Sequence, residues 1–239
     1  MAVLTSILSA QQAGRKQLAL LLDPEKADLS RLPLGGTDLP DYIFVGGSTG
    51  GSIDAFVRSL RSLTSLPIVL FPGSALQFTP AADALLFLSL LSGRNPETLV
   101  GQQIRAARAV RTSGIESIPM GYILIDGGRS TAVQRVSHTQ PIPQTDLSQI
   151  TDTAIAAELL GKRLVYLEAG SGADTPVSQA VIRSVRAQIS VPLIVGGGIR
   201  TPEQMSAAFS AGADLVVIGN HFEAHPDQLP LFCRTLHNL

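Results

Sequence analysis

The chain has 239 residues, of which 45% are hydrophobic and 15% are charged, and its formal net charge is −1 at pH 7. This length predicts one domain over residues 1–239, and the near-neutral charge gives no electrostatic basis for binding nucleic acid or an anionic membrane surface. Cys233 is the only cysteine, which excludes an intramolecular disulfide and favours a cytoplasmic protein. The sparse surface charge predicts partial cover by an apolar ligand or by a second subunit, in a dimer or larger homo-oligomer.

The first half of the chain alternates apolar runs with turns. Residues 1–17 predict an initial helix rather than an export signal, and the most apolar run, 85–93, is too short for the ~20 residues of a membrane span. Only about a dozen residues, with prolines among them, separate the third strand from the fourth, so we expect an irregular connection there instead of a crossover helix. In order, the predicted elements are strands 18–22, 42–45 and 68–71, with a helix at 53–63, and a strand beginning at 85.

The second half continues the alternation with clearer helix starts. Asn95-Pro96 and Thr201-Pro202 each combine a capping residue with a proline at the first helical position. Residues 127–143 have no clear periodicity, which is typical of a functional or a disordered loop. In order, the predicted elements are helix 95–112, strand 122–126, helix 145–160, strand 164–167, a helix from Thr175-Pro176, strand 191–195, a helix from Thr201 to Gly212, and strand 215–218.

Eight strands that alternate mostly with helices predict a parallel α/β architecture. The length favours closure into a (β/α)8 TIM barrel, and an open doubly wound sheet is the alternative. Glycines and acidic residues follow several of the strands. The carboxyl ends of barrel strands form one face, and we expect the site on that face.

Glycines end the last two predicted strands. Gly197 and Gly198 follow strand 191–195, and Gly219-Asn220 follows strand 215–218. Loops at these two positions of a barrel commonly bind a phosphate through main-chain amides. The alternative is that these glycines only form tight turns.

Acidic residues end the first and sixth strands. Asp23 could cap the turn that follows it, or hold Mg²⁺ with help from the Ser48 hydroxyl. Tyr166 and Glu168 are two residues apart on one strand, so that their side chains point to the same face. They form either a buried hydrogen bond or a pair in which Glu168 accepts a substrate hydroxyl proton beside a phenol that binds the phosphate.

Four segments of the chain together resemble one enzyme family. LLDPEK, YLEAGSGA, LIVGGGIR and VVIGN, in this order, look like the geranylgeranylglyceryl phosphate synthase family of prenyltransferases, and YILIDGG followed by RVSHTQPIP is similar to its bacterial members. The resemblance extends over residues 18–220 and implies a modified TIM barrel whose third crossover helix is replaced by irregular chain.

The resemblance also implies an activity in the biosynthesis of ether phospholipids. The 3-hydroxyl of sn-glycerol 1-phosphate would join C1 of geranylgeranyl diphosphate, with release of diphosphate, and Mg²⁺ would be bound by Asp23 and Ser48. Product release would involve only transient membrane contact. The implied catalytic residues are Glu168 and Tyr166. The implied substrate-binding residues are Tyr166, Leu167, Glu168, Ala169, Gly170, Ser171, Gly172, Gly197, Gly198, Gly219 and Asn220.

Two details go beyond the shared motifs. Some members of the family carry a lysine two residues before the metal-binding aspartate, where this chain has Leu21. Lys26, Arg129 or Arg135 could supply the cation instead, and the alternative is that each is a solvated surface charge. A twenty-carbon chain needs an apolar groove near the reduced third unit. The candidates for its lining are Phe71, Leu76, Phe78, Leu85 and Phe87.

Two other functions remain open at this point. Asp23 and Asp126 could serve as the acid and base of a metal-independent sugar-phosphate isomerase on the same barrel. A protein that binds a phosphorylated ligand without turnover is the second alternative.

Overall fold

The computed structural model describes residues 2–47 and 53–239, and within them eight parallel strands close into a barrel. Each strand pairs with its neighbours in the chain, and β1 pairs with β8 to complete the ring. The predicted TIM barrel is therefore confirmed, and the open sheet is excluded. The strands are β1 Gln17–Leu22, β2 Tyr42–Val45, β3 Ile68–Leu70, β4 Ala84–Leu90, β5 Glu116–Leu124, β6 Leu164–Glu168, β7 Leu193–Gly196 and β8 Leu215–Ile218.

Apolar residues cover both faces of these strands because each face has its own packing layer. Alternate side chains, such as Phe44 and Ile194, fill the barrel interior, while the others, such as Ile43 and Val195, pack against the surrounding helices. The continuous apolar runs in the sequence follow from this double burial.

The helices surround the barrel. None in the described part of the chain is long and apolar enough to cross a bilayer. They are α1 Val3–Gln12, α2 Asp54–Leu63, α3 Gln102–Ser113, α4 Ala132–Ser137, α5 Leu147–Leu159, α6 Gln179–Arg186, α7 Pro202–Ser210, α8 Asn220–Ala224 and α9 Leu229–His237. A π-helical turn, Glu97–Gly101, precedes α3, and 3-10 turns lie at Leu29–Arg31 and Pro226–Gln228.

Helix α1 closes the end of the barrel opposite the strand carboxyl ends. Its Val3 and Ile7 pack into the interior cluster. The Glu116 carboxylate of β5 accepts hydrogen bonds from the Val3 and Leu4 amides at 2.6 and 3.0 Å, which supplies the N-terminal cap that Ala2 lacks. The barrel is thus open at the other end.

The third unit has the predicted irregular connection. Residues 71–83, between β3 and β4, contain no helix. The outer face of β4 packs against α3 and the π-helical turn before it, and Phe87 is partly exposed.

Two elements start several residues away from their predicted first residues. Strand β5 begins at Glu116 rather than at 122, since Pro119 and Gly121 disguise a strand that pairs with β4 over seven residues. Helix α6 begins at Gln179 rather than at Thr175-Pro176, because the side chain of Ser178 accepts a hydrogen bond from the Val181 amide and caps the helix there.

Candidate active site

A cavity of 560 Å³ opens at the carboxyl ends of the strands. Asp23 after β1 and Gly197 after β7 both line it, so the acidic first loop and the glycine loops share one space. The cavity continues over the edge of β4 towards α3, where Gln103 and Ala106 line its far wall. Because third-unit residues 71–83 form no helix, this outward extension is not blocked.

Main-chain geometry shapes the side of the cavity near β6 and β7. Gly172, Gly197 and Gly198 line it with φ values of +74°, +82° and +73°, which residues with a side chain rarely adopt. A Cβ atom at Gly197 would collide with Glu168 Oε1 and lie 2.6 Å from the Gly170 nitrogen. Glycine is therefore required here both for its conformation and for the close approach of the two loops.

The loop after β8 meets the loop after β6 at this side. Gly219 and Asn220 line the cavity, and the Ser171 hydroxyl donates a hydrogen bond to Asn220 Oδ1 at 2.8 Å. Arg129 and Arg200 also line the cavity and donate hydrogen bonds to the Gly172 and Ala173 carbonyls, respectively. Two guanidinium groups next to glycine loops create an environment that suits a phosphate.

Glu168 and Tyr166 are buried together at the floor of the cavity. The Tyr166 hydroxyl donates a hydrogen bond to the Glu168 carboxylate, and the Gly170 amide donates to Glu168 Oε1 at 2.6 Å. Burial raises the pKa of Glu168, and these two hydrogen bonds oppose that rise. Burial also raises the pKa of Tyr166 well above its usual value. Glu168 is thus a held carboxylate with an increased tendency to accept a proton.

Sequence analysis missed Tyr122, which lies beside this pair. Tyr122 is opposite Tyr166 in the β5–β6 register, and the two rings stack with their centroids 5.4 Å apart and an interplanar angle of 12°. Phe71 packs on both rings, with its centroid 5.3 Å from that of Tyr166. The signal was available, because YILID and YLEAG place a tyrosine at the same register on neighbouring strands.

Asp23 is buried on the opposite side of the mouth. Its Oδ1 accepts a hydrogen bond from the Glu25 amide at 3.1 Å, so the predicted turn-capping role is present as well. Its Oδ2 lies 2.9 Å from the Lys26 ammonium, which keeps the pKa of Lys26 above its usual value. Glu223 of α8 also lines the cavity, and its Oε1 accepts a hydrogen bond from the Asp23 amide at 3.3 Å.

These contacts fit a cation on Asp23. The ammonium already occupies one carboxylate oxygen, and a Cβ at Gly47 would lie 2.7 Å from the other. Ser48, predicted as the second ligand, lies outside the described residues. Sequence analysis missed Glu223 because no local pattern connects it with a residue 200 positions earlier.

Several predicted residues lie elsewhere. Leu167 and Ala169 are buried among the side chains between barrel and helices, since they alternate with the inward-facing Tyr166 and Glu168. Gly170 does not line the cavity but holds Glu168 through its amide. Leu76 is 79% exposed and is not part of the cavity wall, whereas Phe71, Phe78, Leu85 and Phe87 are.

The isomerase alternative loses its second acidic residue. Asp126 is exposed, does not line the cavity, and accepts a hydrogen bond from the Gly128 amide at 2.9 Å. Its carboxylate therefore caps a turn and does not face Asp23 across the mouth.

Comparison with known proteins gives concordant matches over nearly the whole chain. A model of the PcrB family matches residues 11–234. A relative from Zunongwangia profunda, named geranylgeranylglyceryl phosphate synthase, is 49% identical over 226 residues, which cover 92% of this chain and 97% of the relative. A relative of the same name from Korarchaeum cryptofilum is 41% identical over 228 residues, 92% of each chain.

A solved structure agrees in fold. The crystal structure of (S)-3-O-geranylgeranylglyceryl phosphate synthase from Thermoplasma acidophilum, in complex with the substrate sn-glycerol-1-phosphate, superposes with a TM-score of 0.93. It is 36% identical in sequence, and the match covers 100% of both chains.

Proposed function

Because the chain belongs to the PcrB family, in which relatives at 41–49% identity are named geranylgeranylglyceryl phosphate synthase, we propose that it is a prenyltransferase of this kind. It joins the 3-hydroxyl of sn-glycerol 1-phosphate to C1 of geranylgeranyl diphosphate in the biosynthesis of an ether lipid. The reaction depends on Mg²⁺.

One observation carries this proposal: a single cavity is lined by a carboxylate that fits a cation, by glycine loops, and by an apolar extension. Asp23, Gly197 and Phe87 all line it. Transfer of a prenyl group to a glycerol phosphate needs these three environments side by side. A simple phosphate-binding protein has no use for the apolar extension.

Asp23, with Ser48 as its predicted partner, holds the metal ion. When bound, Mg²⁺ neutralises the negative charge that develops on the departing diphosphate. The protein fixes the carboxylate for this purpose through the hydrogen bond from the Glu25 amide.

The glycine loops orient the acceptor. The phosphate of sn-glycerol 1-phosphate binds beside Arg200, at the amides of Gly197, Gly198 and Gly219. The 3-hydroxyl of the glycerol then reaches Glu168. Glu168 accepts the hydroxyl proton as the oxygen forms its bond to C1, and Tyr166 orients the carboxylate. The bond between C1 and the diphosphate oxygen breaks with its electron pair on diphosphate, so that the products are the ether, diphosphate and one proton.

The prenyl chain binds in the extension over β4. Phe71, Phe78, Leu85 and Phe87 form its apolar lining, and the missing helix of the third unit leaves the space for it. Phe71 contacts the ring of Tyr166 at a tilted angle, with the centroids 5.3 Å apart, which places this groove directly next to Glu168. The groove also excludes water from the allylic carbon, which favours transfer to glycerol over hydrolysis.

The protein works in the cytoplasm as a dimer or larger homo-oligomer. Exposed leucines at the end of α5, Leu159 and Leu160, supply apolar surface that a second subunit would cover. Light scattering coupled to size-exclusion chromatography tests this part, and a monomer at micromolar concentration would overturn it.

The activity is tested with purified protein, Mg²⁺, labelled sn-glycerol 1-phosphate and prenyl diphosphates of several lengths. We expect a labelled ether lipid that extracts into organic solvent, equimolar diphosphate, and loss of both when a chelator removes the metal. The enantiomer sn-glycerol 3-phosphate is the matched control. Ligand binding without any product would leave only the non-catalytic function, and conversion that survives chelation without diphosphate release would indicate an isomerase.

A further inference from the structure

The pair formed by Asp23 and Lys26 joins a fixed carboxylate to a movable ammonium. The side chain of Asp23 is 11% exposed and that of Lys26 is 54% exposed. Asp23 is held at its carboxylate by the Glu25 amide and at its main-chain amide by Glu223, neither of which involves Lys26. The main chain of Lys26 is anchored by its amide, which donates to the Asp23 carbonyl at 2.9 Å. The ammonium can therefore leave Asp23 while its backbone and the carboxylate stay in place.

The other cationic side chains on the described cavity wall bind main-chain carbonyls and not a carboxylate of the wall. Among the lysines and arginines that line the described part of the wall, Arg129, Arg135 and Arg200 each donate to main-chain carbonyls. Lys26 is the member of this set whose partner is a carboxylate of the same wall. Leu21, two residues before Asp23, lines the mouth with hydrocarbon only. On the Asp23 side, Lys26 is therefore the cation within reach of an anionic substrate group.

The local charges make this ammonium dependent on the metal. The Glu223 carboxylate lies against the Asp23 main-chain amide, and Lys26 compensates the charge of the Asp23 carboxylate. A diphosphate would be repelled by the remaining negative charge unless a divalent cation enters first or with it. A metal ion on the Asp23 carboxylate would place a divalent charge beside the Lys26 ammonium, and the two cations would repel each other.

We propose that Lys26 takes the place of the metal ion in the free enzyme, where its ammonium pairs with the Asp23 carboxylate. When the metal binds, the ammonium moves to the diphosphate. This inference rests on the proposed function and adds to it the side chain that supplies a second cation to the diphosphate. The exchange keeps the Asp23 carboxylate neutralised before loading. It then supplies the diphosphate with a cation in addition to the metal.

The exchange makes two predictions of opposite sign for Lys26→Met. Without substrate, the free protein should bind Mn²⁺, measured by electron paramagnetic resonance, about two- to fivefold more tightly, because the competing ammonium is gone. In the presence of Mg²⁺, binding of inorganic diphosphate, measured by calorimetry, should weaken about tenfold, because a charge-assisted hydrogen bond is lost. Lys26→Arg should restore both values towards those of the native protein.

Lys16→Met is the matched control, since the Lys16 ammonium contacts the Ala213 carbonyl at the closed end of the barrel. It should change neither measurement. If Lys26→Met binds Mn²⁺ no more tightly than the native protein, Lys26 does not compete for Asp23 and the inference is wrong. If diphosphate binding is unchanged, Lys26 does not move to the substrate and the inference is equally wrong. Both measurements need no turnover, so a native protein that forms no ether product would overturn the proposed function separately.

Discussion

The two sides of the cavity differ in how much main chain and how many side chains line them. On the side of β6, β7 and β8, glycine loops contribute main chain to the wall, with glycines at positive φ packed so closely that Gly197 has no space for a methyl group. On the side of β1 to β4, the wall is side chains, with Asp23 and Lys26 at the mouth and Phe78 and Phe87 further out. A backbone wall cannot adapt to another ligand, whereas a side-chain wall changes with each substitution. We therefore expect the first to fix the acceptor and the second to tune the donor.

Removal of the carboxylate that we propose to bind the metal ion, Asp23, should have the largest effect on turnover. Asp23→Asn keeps the size of the side chain and an oxygen for the Glu25 amide, so the fold should remain intact. We expect turnover to fall about 10³-fold or more, because the departing diphosphate loses its metal. Initial rates at saturating Mg²⁺ measure this effect. Asp152→Asn, on the exposed face of α5, is the control, and near-normal turnover of Asp23→Asn would remove Asp23 from the metal site.

Loss of the proposed base comes next. Glu168→Gln should lower kcat about 10²- to 10⁴-fold, the usual contribution of a positioned general base. Binding of sn-glycerol 1-phosphate, measured by calorimetry, should change little, because the glycine loops stay in place. The exposed Glu203 provides the control Glu203→Gln, for which native kinetics are expected. A kcat within a few-fold of native would show that another group accepts the proton.

The same carboxylate should set the acidic side of the pH profile. Glu168 must be ionised to accept a proton, and burial raises its pKa, so kcat/KM should fall as the pH decreases through a value above the usual range of a glutamate. This decrease should be absent from the residual activity of Glu168→Gln. An unchanged acidic limb in that variant would assign the titration to a different residue.

A methyl group at Gly197 tests the backbone wall. Gly197→Ala should raise KM for glycerol phosphate about tenfold to a hundredfold, since it displaces amides that bind an anion. KM for the prenyl diphosphate should change far less. Gly161→Ala is the matched control, because Gly161 has a φ of +77° but no atom within 4 Å of a Cβ there. It should cost only about 1 kcal/mol of unfolding free energy, measured by denaturant titration, without any effect on KM. Equal kinetic effects in the two variants would mean that backbone strain alone is responsible.

The smallest effect on KM is expected from a substitution among the side chains that line the cavity on the side of β1 to β4. Phe78→Ala should raise KM for the prenyl diphosphate roughly fivefold through the loss of partly buried apolar surface, and leave KM for glycerol phosphate unchanged. Leu76→Ala is the control from the same connection, because Leu76 is exposed to solvent and does not line the cavity. If the two substitutions act alike, the prenyl chain does not bind along this wall.

Much of this architecture was predictable from local patterns. The bounds of β2 and β8 match the predicted ranges, since short apolar runs between turn residues have few alternatives. Helix α7 begins where Thr201 and Pro202 predicted, and its capping box is complete. Strand β5 was found only in part, because Pro119 and Gly121 oppose a strand locally and are tolerated there by pairing with β4. Contacts across the sheet outweigh such local preferences.

The sequence by itself determined the class of fold, the family, and the residues at the strand ends, because turn chemistry, burial on both faces and capping act over a few neighbouring positions. Only the tertiary structure decided what these residues have for neighbours. It stacked Tyr122 on Tyr166, placed Glu223 against Asp23, turned Asp126 away from the cavity, and left Leu76 in solvent. Closure of the barrel brings together residues 200 positions apart, and no pattern of short range carries that information.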